Sequence, residues 1–202
     1  MKKHAEALTY PQIVPYTDRM DYLSAMNNEM GFVLAVERLM ELGGRPVEVP
    51  EKAHYIRVIM CELNRIASHL LWFGTFAMDT GAMTPFLYAM RDREEVLSLF
   101  EKVSGARLLY NYIRIGGVAR DLTPDFPEHL RRFLDYFEPN IDAYNDLILY
   151  NKIFLERTKK RRCLYSGAGD RLRLDRTEPS RLRRPVGPSE GRALRDLRPV
   201  RV

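Results

Sequence analysis

Apolar residues recur at three- and four-residue steps through most of the first 150 positions, and that period predicts helices rather than strands. Met20, Leu23, Met26, Met30, Val33, Val36, Leu39 and Met40 form the first stripe, with Thr17 or Asp18 as its cap and Gly43-Gly44 as its stop. Most of the methionines are thereby assigned to packing. After a linker from Arg45 to Pro50, a second helix is predicted from Glu51 through Leu71 or beyond, built on Ile56, Ile59, Met60, Leu63, Ile66, Ala67 and Leu70. Thr84 before Pro85 marks the start of a third, over Phe86 to Val103, ending near Gly105. Leu130, Phe133, Leu134, Phe137, Ile141, Tyr144 and Ile148 define a fourth, which Pro139 is expected to kink or divide. Residues 1–16, where Pro11 and Pro15 frame Ile13 and Val14, read as an extended segment. The fold class expected for residues 1–160 is therefore mainly α, a helical bundle without a strand-rich block.

From Arg161 onward the period stops, Arg is scattered, and Tyr165 is the only aromatic residue. A tail over 161–202 with so little to bury is expected to be disordered. Charge divides at the same point. The chain of 202 residues carries a formal charge of +5 from 32 Lys/Arg and 27 Asp/Glu, but residues 161–202 hold 12 Arg and 5 acidic residues. That leaves 20 Lys/Arg against 22 Asp/Glu in the body, which is slightly acidic, so the overall basicity does not describe it. Cys61 and Cys163 are too few and too far apart for a disulfide framework or a CxxC metal site. No charged-then-apolar leader opens the chain, and the longest apolar run, around Leu70 to Met78, is about half the roughly 20 residues a spanning helix needs. Membrane contact is expected to be peripheral or through partners.

Read singly, the chemistry-bearing residues have plain explanations. Tyr22, beside Asp21, could aim its hydroxyl at a polar ligand group in an apolar cavity, although a buried tyrosine ordinarily just finds a hydrogen-bond partner. Asp79, between an apolar run and a helix start, is read as a cap or turn residue. His69 lacks a second ligand at HExxH spacing and is read as a core histidine. Gly116-Gly117, without a GxGxxG pattern, is read as a tight turn rather than a phosphate site. The mixed-sign run Arg91-Asp92-Arg93-Glu94-Glu95 is read as a solvated face, with an interaction surface as the other option.

Three longer strings change the picture. DRMDYLSAMNNEMGFVLAVERL, IRVIMCELNRIASHLLWFGTFAMDTGAMTPFLYAMRDRE and NYIRIGGVARDL resemble the D-lettered subunit of the proton-pumping NADH-quinone oxidoreductase, respiratory complex I, over about residues 5–160. The resemblance implies the helical fold that this subunit shares with hydrogenase large subunits. It also implies a chain that lines a quinone-reduction chamber together with the neighbouring iron–sulfur subunit, in a complex passing electrons from NADH to quinone with proton translocation. Tyr22 corresponds to the family's headgroup tyrosine, and Asp79 to the carboxylate partner of a quinone-binding histidine. That histidine belongs to an HPxxHG-type segment upstream of this chain's start, and His4, His54, His69 and His129 lie in no such context. The protein is expected to bind no cofactor itself; quinone is the substrate, and the Fe-S cluster sits in the neighbouring subunit. The iron–sulfur subunit, lettered B, and the one lettered C are the expected partners, and nucleic acid is not. The expected location is the peripheral arm at the cytoplasmic face of a bacterial plasma membrane. The isolated chain is not expected to catalyse the reaction. Two other readings stand beside this one. A hydrogenase-like metalloenzyme subunit would need the two CxxC motifs that are missing, and a small basic nucleic-acid-binding protein would depend on the tail alone.

The resemblance fails after about residue 160, and the tail reads as a shifted frame. With suitable synonymous codons, Arg161 to Ser166 moved forward by one base gives VGVFTR, and Leu174 to Pro179 gives LTGPS, both similar to the family's continuation. Residues from about 161 are therefore expected to arise from a one-base frameshift. DNA sequence across the codons for Lys160 and Arg161, read on both strands, checks this: one extra or missing base restores the family-like frame, whereas a confirmed in-frame tail removes the idea.

Overall fold

Gln12 reaches back to accept the backbone N–H of Thr9 at 3.0 Å, and this cap starts a helix where an extended segment was expected. In the computed structural model, which describes residues 2–158, a short helix α1 (Lys2–Ala5) precedes α2 (Tyr10–Thr17). Proline excludes a helix only where its N–H is needed. Pro11 occupies the first turn of α2, where that N–H would have no partner, and Pro15 deprives a single carbonyl. The expected tail, residues 161–202, lies outside the described residues.

The first predicted stripe begins later than its spacing implies. Residues 18–24 form turns, and α3 spans Ala25–Leu42. Met26 and Val33 are buried as expected, whereas Met20 and Leu39 are more than half exposed, so neither has the packing role assigned to it. The cause is a tertiary hydrogen bond that periodicity does not carry. Asn64, buried on helix α4 (Glu51–Asp79), accepts the Met26 N–H at 3.1 Å and donates to the Leu23 carbonyl at 3.4 Å, taking the backbone that a helix starting at Asp18 would have used.

Helix α4 is the longest element and continues well past Leu71. Its buried face runs from Ile56 through Met60, Leu63, Ala67 and Leu70 to Gly74 and Ala77. Through Thr80–Ala82 it turns into α5 (Met83–Ser104), and the two helices form a hairpin. They pack tightly at Gly74, where a Cβ would stand 3.1 Å from Cδ2 and 3.2 Å from the Cα of Phe86, and 3.3 Å from the Cβ of Ala89. Any side chain there would push backbone apart.

Helix α6 (Phe126–Tyr144) packs Phe126 and Phe133 against Val96, Phe100 and Met60 in the common core. Pro139 does not divide it; α6 runs on and passes into a π-helical turn, Asn145–Leu149, before α7 (Lys152–Thr158). Leu134 and Ile141, both placed in the predicted stripe, are 46% exposed.

A two-stranded ribbon, β1 (Ile113–Arg114) and β2 (Gly117–Val118), is the only sheet among the described residues, so the mainly α expectation holds. It is antiparallel, with Ile113 opposite Val118 and Arg114 opposite Gly117. Gly116 supplies the turn at φ 87, so the pair Gly116-Gly117 is the tight turn its composition suggested. Arg57 of α4, fully buried, holds the ribbon. Its Nη1 and Nη2 donate to the two oxygens of Glu37 on α3 at 3.1 and 2.7 Å, its Nε to the Gly117 carbonyl at 3.1 Å and its Nη2 to the Arg114 carbonyl at 2.7 Å. Glu37 also accepts the Gly116 N–H at 2.9 Å. Burial acts to raise the Glu37 carboxyl, but the Arg57 guanidinium and the Gly116 N–H outweigh it and hold the group below the ordinary glutamate range.

Removing one member of such a buried pair leaves the other uncompensated. Arg57→Met is expected to cost about 3–5 kcal/mol, read as a lowered urea midpoint with the slope retained.

Candidate functional site

Tyr22 stands in the turn between α2 and α3, and 63% of its surface is open to solvent. It is not in the helix start or the closed apolar setting its neighbours suggested. The turn itself is well tied. The Leu23 N–H donates to Asp21 Oδ1 at 3.2 Å, the Ser24 N–H to the Asp21 carbonyl at 3.0 Å, and Asn64 holds the Leu23 carbonyl from α4. A fixed backbone thus presents a free phenol, which makes no hydrogen bond among the described residues.

Asp79 is the last residue of α4, exposed, and it caps nothing. The role its context suggested falls to Thr80, whose N–H donates to the Phe76 carbonyl at 3.1 Å and whose hydroxyl donates to the Ala77 carbonyl at 2.8 Å. Asp79 therefore places a carboxylate at the negative end of a 29-residue helix whose last turn has no basic residue. A helix dipole disfavours an anion there, so the position favours a cationic partner. No hydrogen bond joins Tyr22 and Asp79 among the described residues; one stands in the turn between α2 and α3 and the other at the end of α4.

Three buried acids carry most of the polar interior, and none stood out from the sequence. Asp92 sits inside the charge run read as a solvated face, yet it is fully buried on α5. It accepts from the hydroxyls of Tyr136 at 2.8 Å and Tyr144 at 2.6 Å, from Asn140 at 3.1 Å and from Arg91 at 2.9 Å, so the run has one residue turned inward to bind α6. The Tyr144 hydroxyl is pushed far above its usual range, first by burial and then by that hydrogen bond. Glu29 lies on the same face of α3 as Met26 and Val33, and its carboxyl oxygens accept the Tyr112 N–H at 3.1 Å and the Ile113 N–H at 2.7 Å. Asp18 at the end of α2 accepts the Asn111 N–H at 2.9 Å. A carboxylate three residues from Met26 and four from Val33, in the middle of an apolar stripe, was the signal available for Glu29.

An open apolar cavity of about 690 Å³ lies beside α4 and α6, lined by residues that include Ile66, His69, Trp72, Phe73, Phe137 and Tyr144. His69 is exposed here rather than packed in the core as expected, because its position on α4 falls between Ala67 and Leu70, off the buried stripe. Among the described residues no three His, Cys, Asp or Glu side chains stand together as a metal site, and no helix is long and apolar enough to cross a membrane.

The family model for the respiratory-chain NADH dehydrogenase 49 kDa subunit matches residues 79–164. The D-lettered NADH-quinone oxidoreductase subunit of Chlorobium phaeobacteroides is 54% identical over 158 residues, which is 78% of this chain and 38% of that protein. Its counterpart in Chlorobaculum tepidum is 52% identical over 157 residues, 78% of this chain and 38% of its own. That of Desulforamulus reducens is 52% identical over 159 residues, 79% and 42%. The chain belongs to this family of NADH-quinone oxidoreductase subunits. It spans about 38% of the length of the first of these relatives.

In this member of the NADH-quinone oxidoreductase family the thiol of Cys61 is structural. It is 7% exposed, it faces the Met26 carbonyl at 3.8 Å, and burial, with Glu29 and Glu62 nearby, pushes it up to about 11. Roughly one thiol in a thousand is then ionised at pH 8. Alkylation of Cys61 by iodoacetamide, followed by peptide mapping, is expected to run about a hundredfold slower in the native chain than in urea.

Proposed function

We propose that this chain forms part of the wall of a quinone-reduction chamber in an NADH-quinone oxidoreductase, with Tyr22 and Asp79 as its polar contacts toward the quinone headgroup. The observation that carries the reading is Asp79: an exposed carboxylate, without a partner among the described residues, at the end of a long helix whose dipole favours a cation there. A protonated histidine from elsewhere in the complete protein is such a cation. Asp79 keeps it protonated and donating, and the histidine in turn holds one quinone oxygen. Tyr22, held by its backbone and free at its hydroxyl, donates to the other oxygen as charge builds on it during reduction.

In this reading the electrons reach the quinone from NADH through iron–sulfur clusters, the last of them in the neighbouring iron–sulfur subunit, and reduction is coupled to proton translocation. This chain contributes binding and proton donation and carries no cofactor of its own. That iron–sulfur protein and the C-lettered one are its neighbours in the peripheral arm, at the cytoplasmic face of the plasma membrane, and contact with the membrane is made through the complex. The exposed Trp72, Phe76 and Met78 on the last turns of α4 support burial of this end of the helix in an assembly.

Tyr22→Phe in the complete complex removes one hydroxyl and little volume. It is expected to lower quinone reduction by about a hundred- to a thousandfold, as loss of one donor to a developing oxyanion does, while leaving NADH oxidation by an artificial acceptor unchanged. Equal loss of both activities overturns the assignment.

A further inference from the structure

Asp18 and Glu29 are both completely buried, and their carboxyls accept the N–H groups of adjacent residues, Asp18 that of Asn111 and Glu29 those of Tyr112 and Ile113, which sets the two acids against each other. Two carboxylates cannot share a hydrogen bond without a proton between them. Asp18 Oδ1 has no other partner, whereas Oδ2 takes the Asn111 N–H, so the one unfilled acceptor in the pair is where that proton belongs. Glu29 is otherwise filled by the N–H groups of Tyr112 and Ile113. Were both acids ionised, two like charges would stand in contact out of reach of water.

Two segments meet at this proton. On one side is the turn carrying Tyr22, four residues after Asp18. On the other is the 109–113 segment, where Leu109 at φ 57 and Asn111 at φ 45 hold the left-handed conformation without being glycine. Such backbone persists only when surrounding contacts over-determine it, and here Asp18 and Glu29 accept the three consecutive N–H groups from Asn111 to Ile113. We propose that Asp18 and Glu29 bind a single proton between them and that this proton locks the Tyr22 turn to the 109–113 segment, making the pair a positioning element for the tyrosine. The link to Tyr22's task rests on the quinone reading above; the shared proton does not.

The surroundings add little that would ionise the pair. Cys61 from α4 and Tyr110 from the loop face it as neutral groups, the latter pushed up to about 12 by burial. Arg93 from α5 and Arg107 act on Tyr110, and Arg93 Nε is itself buried without a partner among the described residues. Burial, then the Asp18 contact and charge, raise Glu29 from 4.5 to about 9 against the opposing pull of the two N–H groups. Because folding raises this acid, the stability it contributes is full below about pH 4.5 and is lost as pH rises to about 9.

The test uses the complete complex, in wild-type form and with Glu29→Gln or Asp18→Asn, each of which replaces the shared proton by a permanent amide donor. Hydrogen exchange of the peptide containing residues 109–113, corrected for the intrinsic rate, is followed together with the quinone KM on either side of about pH 9. In the wild type, protection is expected to collapse above that pH and the quinone KM to rise roughly tenfold per pH unit, while artificial-acceptor activity stays level. Either variant abolishes both pH dependences, so one that assembles is enough. Wild-type protection that does not change across this range, or a change that persists in the variants, overturns the shared proton. A collapse of protection with a flat quinone KM keeps the proton but overturns its positioning of Tyr22; the quinone reading itself stands or falls on Tyr22→Phe.

Discussion

A buried backbone N–H must find an acceptor, and at Asn111, Tyr112, Ile113 and Gly116 this chain supplies acceptors from side chains. Glu29 and Glu37 are eight residues apart on α3, a little over two turns, so their carboxyls meet a non-helical segment running alongside. Glu29 takes Tyr112 and Ile113, Asp18 takes Asn111, and Glu37 takes Gly116. Arg57 then fills the remaining valence of Glu37 and two carbonyls of the ribbon. With those contacts made, α3, α4 and the ribbon have one relative arrangement. Substituting apolar residues for the acids would leave a run of N–H groups with nothing to bond.

This dependence on buried charge explains what could and could not be read from the chain. Helices α4, α5 and α6 were legible because each runs for at least 19 residues with apolar positions on one face. Their stripes reflect burial in a common core, and periodicity measures that directly. Helix α2 was missed because proline was read as a breaker where its place in the first turn made it harmless. Asp18–Ser24 was read as helix because Asn64 lies some forty residues away. Glu29 and Asp92 were overlooked because a carboxylate within a stripe, or within a charge run, is ordinarily a solvated one; here hydrogen-bond donors from distant segments made burial possible.

The candidate site was legible by a different route. The residues alone suggested a ligand-facing phenol at Tyr22 only as a minor option and a cap at Asp79; resemblance to the complex I family singled out both. What the fold adds is that neither is consumed internally. The protein's buried acids each take backbone or side-chain donors from inside the fold, while Tyr22 and Asp79 are left exposed, a division between acids that build the fold and groups that face outward.

The segment between Leu42 and Glu51 supplies none of these hydrogen bonds. Glu37 and Arg57 are joined from inside, Asn64 fixes the start of α3, and of the connecting residues Val47 meets the ribbon turn at Gly116. The loop closes a path whose two ends are already held in place. Its length is therefore free to drift: residues inserted or removed there change the contour of the surface without moving a helix, and a peptide bond broken there would leave two pieces still associated. In evolutionary terms it is a place where a change of length leaves the buried hydrogen bonds between α3, α4 and the ribbon in register.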